Sequence, residues 1–326
     1  MDIEKGKVQG TLESASHLTQ TISLAIILLN WNSAADTIRC VRAIEAWEKL
    51  EPTIWVVDNA SGDDSVARLR AGCPGARLLV SERNLGFGGG NNLAIRQALE
   101  AGAMRLFLLN NDAAVSEAGL AQLMHTLEAH PQAGIVGPLL RDPPPSAGLQ
   151  SSGGLNPAWH VHTRTTRVLD PAAPYAVDYV PGTAILVAAE VFRRVGLLDE
   201  GYFFSGEIAD FCLRARRQGY QSLIDPSVSA THDTGRSSEL RVALYTYYSL
   251  RNRFLLARGL YPRWRFAFYL YWGLFASMSI VGSRLRGRRR RAAALSLALS
   301  HGLQGQFGGR NQDVLAQDQK YVQESG

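Results

Sequence analysis

A chain of 326 residues that is 46% hydrophobic and 19% charged is too apolar for a disordered or collagen-like polymer, and long enough to bury a large core. Its net charge of +5 is unevenly placed: from Arg236 onward there are 15 Lys/Arg against 4 Asp/Glu, or +11, which leaves −6 for the first 235 residues. The three cysteines, Cys40, Cys73 and Cys212, are odd in number and lack ligand spacing, which excludes a disulfide framework and a zinc site and fits a reducing compartment.

Residues 1–21 are polar and mixed in charge, without the basic start and apolar run of a secretory signal, so the chain is expected to stay in the cytoplasm. Residues 23–30 are a continuous apolar run ending in Asn30, which predicts a strand buried on both faces. Ile38, Val41 and Ile44 at helical spacing predict a helix ending near Pro52. A strand at 53–58, a polar turn, a short helix from about Ser65 and a strand at 77–80 follow. A Gly-rich loop, a helix at 91–101 and a strand at 105–110 complete the series. The alternation predicts an α/β fold with an open, mainly parallel sheet, flanking helices and right-handed crossovers. Its ligand then lies beyond the strand ends, at Asn30, Asp58 and the Asn110, Asn111, Asp112 run.

After a helix at 116–130 the pattern becomes α+β. Residues 159–168 alternate like a half-exposed strand, 177–187 read as strand around Pro181 and Gly182, and helices are expected at 189–195 and 207–218. A helix at 240–259 precedes residues 266–283, which carry no formal charge and sit between Arg263/Arg265 and a basic cluster at 284–291. That length is the lower limit for a membrane span. The aromatics crowd its front half (Phe266, Phe268, Tyr269, Tyr271, Trp272, Phe275), which favours a helix lying in the membrane interface over a span or a core helix. The arginines of 263–291 would then meet anionic headgroups, and this setting argues against a nucleic-acid partner.

Asp58, Asn59 and Asp63 occupy a turn after one buried strand, and Asp112 follows another. A carboxylate so placed can bind a nucleobase or ribose, or hold a divalent ion against phosphates. Either alone is also an ordinary turn or cap residue, but two at neighbouring strand ends shift the balance toward a site. The glycines of 84–92 allow close backbone approach. A dinucleotide loop is not encoded, since Asn91 stands where G-x-G-x-x-G from Gly86 needs glycine, and the loop follows the third strand.

The ordered series LNWN (29–32), VVDNASGD (56–63), RNLGFGGGN (83–91) and LNND (109–112) resembles the family 2 inverting glycosyltransferases, in their rhamnosyltransferase-like branch. GIVG (134–137), PGTA (181–184), DFCLRAR (210–216) and YYSLRNR (247–253) continue the likeness, over residues 22–258. The resemblance implies a GT-A-like fold binding a nucleotide-diphosphate sugar with Mg²⁺ or Mn²⁺. By position, Asp58 would contact the nucleobase, and Asn30, Asn59, Asn84, Gly86, Asn91, Asn110 and Asn111 would line the donor pocket. Asp112 matches the last carboxylate of the metal motif, Asn110 is a neutral version of its first, and His232 in ATHDTG (230–235) matches a histidine near metal and pyrophosphate.

Inverting transfer needs a carboxylate that takes the acceptor hydroxyl's proton. The ungapped register puts Ile208 where the family carries it, in GEIAD (206–210). Three readings stay open: Glu207 as base with its longer side chain, Asp210 as base, or no base, both carboxylates then being ordinary helix-start residues. The resemblance implies transfer of one sugar from a dTDP- or UDP-sugar, dTDP-rhamnose among them, to a lipid-linked or cell-surface glycan acceptor. The alternative is a non-catalytic nucleotide-sugar-binding partner. The expected organisation is a polar tail (1–21), a catalytic domain (22–235; nucleotide half 22–140, acceptor half 141–235) and a basic helical extension (236–326) on the inner face of the cell membrane. A homo-oligomer is among the open assembly states.

Overall fold

Ala25 and Ile27 face one way from the first strand, Ile26 and Leu28 the other, and all four are fully buried, which places this strand inside a sheet covered on both sides. The computed structural model describes residues 23–233 and 239–323, so the expected N-terminal tail lies outside the described residues. In chain order the elements are β1 (Leu24–Asn30), α1 (Ala34–Glu45), β2 (Thr53–Asp58), α2 (Ser65–Gly72), β3 (Arg77–Val80), α3 (Gly86–Glu100), β4 (Arg105–Asn110), β5 (Ala113–Ala114), α4 (Glu117–Ala129), β6 (Ala133–Arg141) and β7 (Leu149–Ser151). They continue with β8 (Tyr175–Val177), β9 (Ala184–Ala188), α5 (Ala189–Val195), α6 (Glu207–Arg217), β10 (Gln221–His232), α7 (Glu239–Leu260), a 3-10 turn, α8 (Arg265–Leu285), α9 (Arg289–Gln304) and α10 (Asn311–Gln323).

The sheet runs β3-β2-β1-β4-β9-β6-β10-β5, with β7 and β8 fringing β6 and β10. Its first four strands are parallel, β6 and β10 form a second parallel pair, and β9 joins the two antiparallel to both neighbours. Chain order reverses at β1, which lies between β2 and β4, and that is where open α/β sheets leave a crevice for ligands. Val41 and Ile44 of α1 and Leu120 and Leu123 of α4 cover one face, and Ala94, Ile95 and Ala98 of α3 the other.

Three sequence expectations change. The glycine run is helix rather than loop, because α3 starts at Gly86. Its glycines answer close approach: a Cβ on Gly90 would lie 2.5 Å from Leu29 Cδ1, and one on Gly89 2.8 Å from Leu85 Cβ. Residues 159–168 form no strand, only one bridge between Gly154 and Arg164. Carbonyls there are drawn to Arg253 of α7, whose guanidinium donates to Pro157 O (2.6 Å), His160 O (2.6 Å) and Val161 O (2.7 Å). The strand expected over 177–187 is split into β8 and β9, and Pro181, without an N–H, lies in the gap.

Helices α7, α8 and α9 build a third core around Phe254, Trp272 and Leu295. One face of α8 enters it (Phe268, Trp272, Ala276, Ile280), and Trp272 Nε1 donates to Ala158 O at 3.1 Å, tying the helical layer to the sheet body. The opposite face carries exposed Phe266, Leu270, Leu274, Met278, Val281 and Leu285.

Candidate active site

The carboxyl ends of β1 and β2 are locked together. Asn30 Nδ2 donates to Asp58 Oδ2 (2.8 Å), Thr37 Oγ1 donates to Asn30 Oδ1 (2.8 Å), and Asn111 Nδ2 reaches the same threonine hydroxyl (2.9 Å). Asp58 also accepts from Ser61 N (3.0 Å) and Ser61 Oγ (2.7 Å). With 0% exposure and these donors around it, Asp58 shapes the 58–62 turn. Ser61 also accepts from Asn32 N at 2.8 Å, so the Asp58 carboxylate, the 58–62 turn and the end of β1 form one bonded unit.

Asn59 does similar work one layer over, donating to Asn84 Oδ1 (3.1 Å) and Gly86 O (3.1 Å) while accepting from Leu85 N (2.9 Å). Asn84 Oδ1 in turn accepts from Gly86 N at 2.8 Å. Asn91 lies one turn into α3, its amide donating to Phe87 O at 2.9 Å. Of the eight expected donor residues, Asn30, Asp58, Asn59, Gly86 and Asn91 are buried scaffold, while Asn84, Asn110 and Asn111 remain half-open. Three residues the sequence reading gave no role belong here: Thr37, Ser61 and Trp31. Ser61, three residues after Asp58, returns both its N–H and its hydroxyl to that carboxylate, and Trp31 is an apolar ring exposed directly after a buried strand.

Asp112 follows the end of β4, and β10 brings His232 to it by pairing His232 with Ala113 and by a bond from Asp233 N to Asp112 O (3.2 Å). His232 Nε2 and Asp112 Oδ1 stand 3.4 Å apart, both enclosed and without a hydrogen-bond partner. A proton on the imidazole would pair these two buried atoms, and so would a divalent cation; one carboxylate oxygen with one imidazole nitrogen suits Mn²⁺ better than the harder Mg²⁺, which would take the carboxylate oxygen alone. Among the described residues no third carboxylate, thiol or imidazole joins them, so most of the coordination shell would come from diphosphate oxygens and water.

Helix α6 starts at Glu207 after Gly206, whose φ is +103°. Its first turn lies between α3 and the turn before β9: a Cβ on Gly88 would lie 3.8 Å from Glu207 Cβ, and one on Gly182 2.8 Å from Ile208 Cγ1. That turn also meets the end of β4, since Asn110 N donates to Thr183 O at 2.9 Å. Ile208, where the resemblance places the base, thus makes an apolar contact. Asp210 is occupied, Oδ2 by Arg214 Nε (2.7 Å) and Oδ1 by Tyr202 Oη (3.3 Å), while Arg214 anchors Val195 O and Leu197 O. Glu207 is buried with Oε2 unpartnered, and burial pushes its carboxyl up to about 7, the charge of Asp210 adding to the effect and a backbone N–H opposing it.

The sheet has a ligand-binding switch point with an aspartate and a histidine converging beyond β4, and residues 25–191 match the sequence profile of glycosyl transferase family 2. The chain belongs to that family. It is 26% identical over 258 residues to the low-salt glycan biosynthesis hexosyltransferase Agl10 of Haloferax volcanii, covering 75% of this chain and 78% of that one. It is 27% identical over 300 residues to the N-acetylglucosaminyl-diphospho-decaprenol L-rhamnosyltransferase of Mycobacterium tuberculosis, covering 83% and 97%. The mannosyltransferase PcManGT of Pyrobaculum calidifontis, solved with GDP-Man and Mn²⁺, superposes with a TM-score of 0.54 over 88% of each chain at 15% identity, a likeness of fold. This family 2 glycosyltransferase therefore sits beside rhamnosyl- and hexosyltransferases of glycan biosynthesis; its sheet is open and mainly parallel, as the strand pattern predicts, and GT-A-like, as the resemblance implies.

Proposed function

We propose that this enzyme moves one sugar, with inversion at the anomeric carbon, from a dTDP- or UDP-sugar to a hydroxyl of a lipid-linked or cell-surface glycan; its likeness to an L-rhamnosyltransferase supports a rhamnosyl donor such as dTDP-rhamnose. The observation that carries the reading is the facing pair Asp112 Oδ1 and His232 Nε2, both without partners, at the mouth of the β1/β4 crevice. Mg²⁺ or Mn²⁺ held there would supply positive charge to the departing diphosphate. The half-open amides of Asn84, Asn110 and Asn111 orient the donor. Glu207, the carboxylate of α6 with an unoccupied oxygen, receives the acceptor's proton as the hydroxyl attacks from the face opposite the diphosphate. Ile208 at the family's base position favours a second reading, a donor-binding partner without turnover.

Titration with UDP and dTDP, with and without Mn²⁺, followed by donor consumption with a polyprenyl-diphosphate-sugar acceptor, tests both. Metal-dependent nucleotide binding with transfer is the expected result. Binding without any donor consumption would favour the second reading, and a folded protein that binds neither nucleotide would reject both.

The division into a catalytic unit (22–235) and a helical extension (236–326) belongs to the same proposal, as does residence on the cytoplasmic face of the membrane. Helix α8 is long and apolar enough to cross a bilayer, yet only one of its faces is solvent-exposed, and no Asp or Glu occurs between residues 240 and 312. An exposed apolar ridge flanked by arginines suits an in-plane seat on anionic lipid. The chain is expected to sediment with phosphatidylglycerol vesicles, to be released by salt, and to ignore phosphatidylcholine vesicles. Leu270→Asp with Leu274→Asp should abolish the binding; retention by neutral and anionic vesicles alike would contradict it.

A further inference from the structure

The turn that delivers Glu207 is conformationally costly. Phe203 (φ +62°) and Ser205 (φ +68°) are non-glycine residues in the left-handed region, followed by Gly206 at +103°. Such backbone persists only where its surroundings over-determine it.

The surroundings are supplied by α7. Asn252 is buried, and its single Nδ2 is aimed at the carbonyls of Tyr202 (3.1 Å), Phe204 (3.0 Å) and Ser205. Its neighbour Arg251 is fully buried, with Nη2 donating to Tyr202 O (2.8 Å) and Gly201 O (3.3 Å), and Nη1 to Gly308 O (2.9 Å). Among the described residues it is carbonyls, not a carboxylate, that meet this guanidinium, and the rings of Tyr247, Tyr248 and Phe307 surround it. Tyr248 also stacks on Phe203, centroids 5.5 Å apart. Enclosing an arginine without a counter-charge is unfavourable, and a leucine would fill a plain helix interface with less loss. On the far side, Phe203 O accepts from Phe87 N at 2.7 Å, and a Cβ on Gly86 would stand 2.2 Å from that carbonyl. The strained turn is thus held between the donor-side helix α3 and the helical layer.

We propose that Arg251 and Asn252 are positioning residues: by binding the carbonyls of residues 201, 202, 204 and 205 they hold the 203–206 turn in its left-handed form and fix where the Glu207 carboxylate stands in the cleft. Neither residue is placed to touch substrate; both act through the backbone that starts α6. The inference rests on Glu207 being the base, and it gives the YYSLRNR segment of the extension a part in the chemistry of the sheet body.

The test uses the full chain and compares Asn252→Asp, which keeps the shape but loses the donors, Asn252→Ala, Arg251→Lys and Glu207→Gln. The expected result for the Asn252 variants is a kcat lower by about 10- to 100-fold, the scale on which a small misplacement of a catalytic group acts. Mn²⁺-dependent nucleotide affinity should stay within about threefold, since the turn and not the donor site is released. The pH at which kcat is half-maximal should fall below the wild-type value, because a carboxylate freed from its enclosure regains an ordinary pKa. The charged groups near it are Asp210 on its own helix, with Arg214 and Asp199 around that residue. Wild-type kcat and pH profile in both Asn252 variants would overturn the proposal, as would equal losses of nucleotide binding and kcat. If the Asn252 variants do not fold, Arg251→Lys decides by the same two readouts. A fully active Glu207→Gln would instead reject the base assignment, whatever the Asn252 variants show.

Discussion

Asp112→Ala is expected to abolish the effect of Mn²⁺ on nucleotide binding, with at least a 100-fold loss of affinity measured by calorimetry in the presence of the ion, on the order of what metal-shell changes cost. In the wild-type protein Asp112 Oδ1 and His232 Nε2 lie enclosed and unpartnered 3.4 Å apart, so a cation that satisfies both should stabilise the fold by mass action. Mn²⁺ should therefore raise the melting temperature of the wild-type chain in a concentration-dependent way. Asp112→Ala and His232→Ala should each erase that shift, the aspartate variant more completely because it also removes the formal charge. Chelation should reduce wild-type nucleotide binding to the level of Asp112→Ala without further affecting the variant. Equal nucleotide affinity with and without divalent ions, unchanged by Asp112→Ala, would show that the pair is a structural contact between β4 and β10.

The parallel half of the fold was legible because a strand buried on both faces must be apolar throughout, so β1, β2 and β4 stand out as uninterrupted runs. Strands β5, β7 and β8 have two or three residues each, too few for any period to show. The glycine run was misread because propensity opposes helix there; the approach of α3 to Leu29 and Asn59, which demands glycine, is tertiary. The site divides in the same way. Strand ends marked Asn30, Asp58 and Asp112, but whether an amide or carboxylate faces the crevice or is turned into the scaffold depends on partners such as Thr37 and Ser61, and spacing carries no such information. His232 reaches Asp112 only through the pairing of β10 with β5, and family resemblance, not periodicity, pointed to it. The roles of Arg251 and Asn252 were hidden for a further reason: their partners are main-chain carbonyls, which every sequence has.

Glu207→Gln should lower sugar transfer by about 100- to 10,000-fold while leaving Mn²⁺-dependent nucleotide affinity near that of the wild type, the range of a lost general base. It should also make the protein more stable at pH 8. Burial raises the Glu207 carboxyl from 4.5 to about 7, so the folded chain holds this proton more tightly than the unfolded one. The contribution to stability is complete below pH 4.5 and declines as pH rises through 7, beyond which the folded state carries a buried anion with an unpartnered oxygen. A shift of that size corresponds to about 3 kcal/mol, an upper figure for what neutral glutamine would restore. The gain in melting temperature should be large at pH 8 and vanish near pH 4, and wild-type kcat should rise with pH through about 7 as the base ionises. Asp210→Asn gives the contrast: it removes the charge that Arg214 binds, so it should destabilise the chain at neutral pH, and because the Asp210 charge adds to the rise of the Glu207 carboxyl it should lower the pH midpoint of kcat without abolishing transfer. A residue kept ionisable at the expense of stability has a function that requires the charge, whereas one kept for the fold loses stability when neutralised. If Glu207→Gln lost both transfer and stability at pH 8, the carboxylate would be a structural anchor like Asp210, and the proton of the acceptor would have to leave by another group.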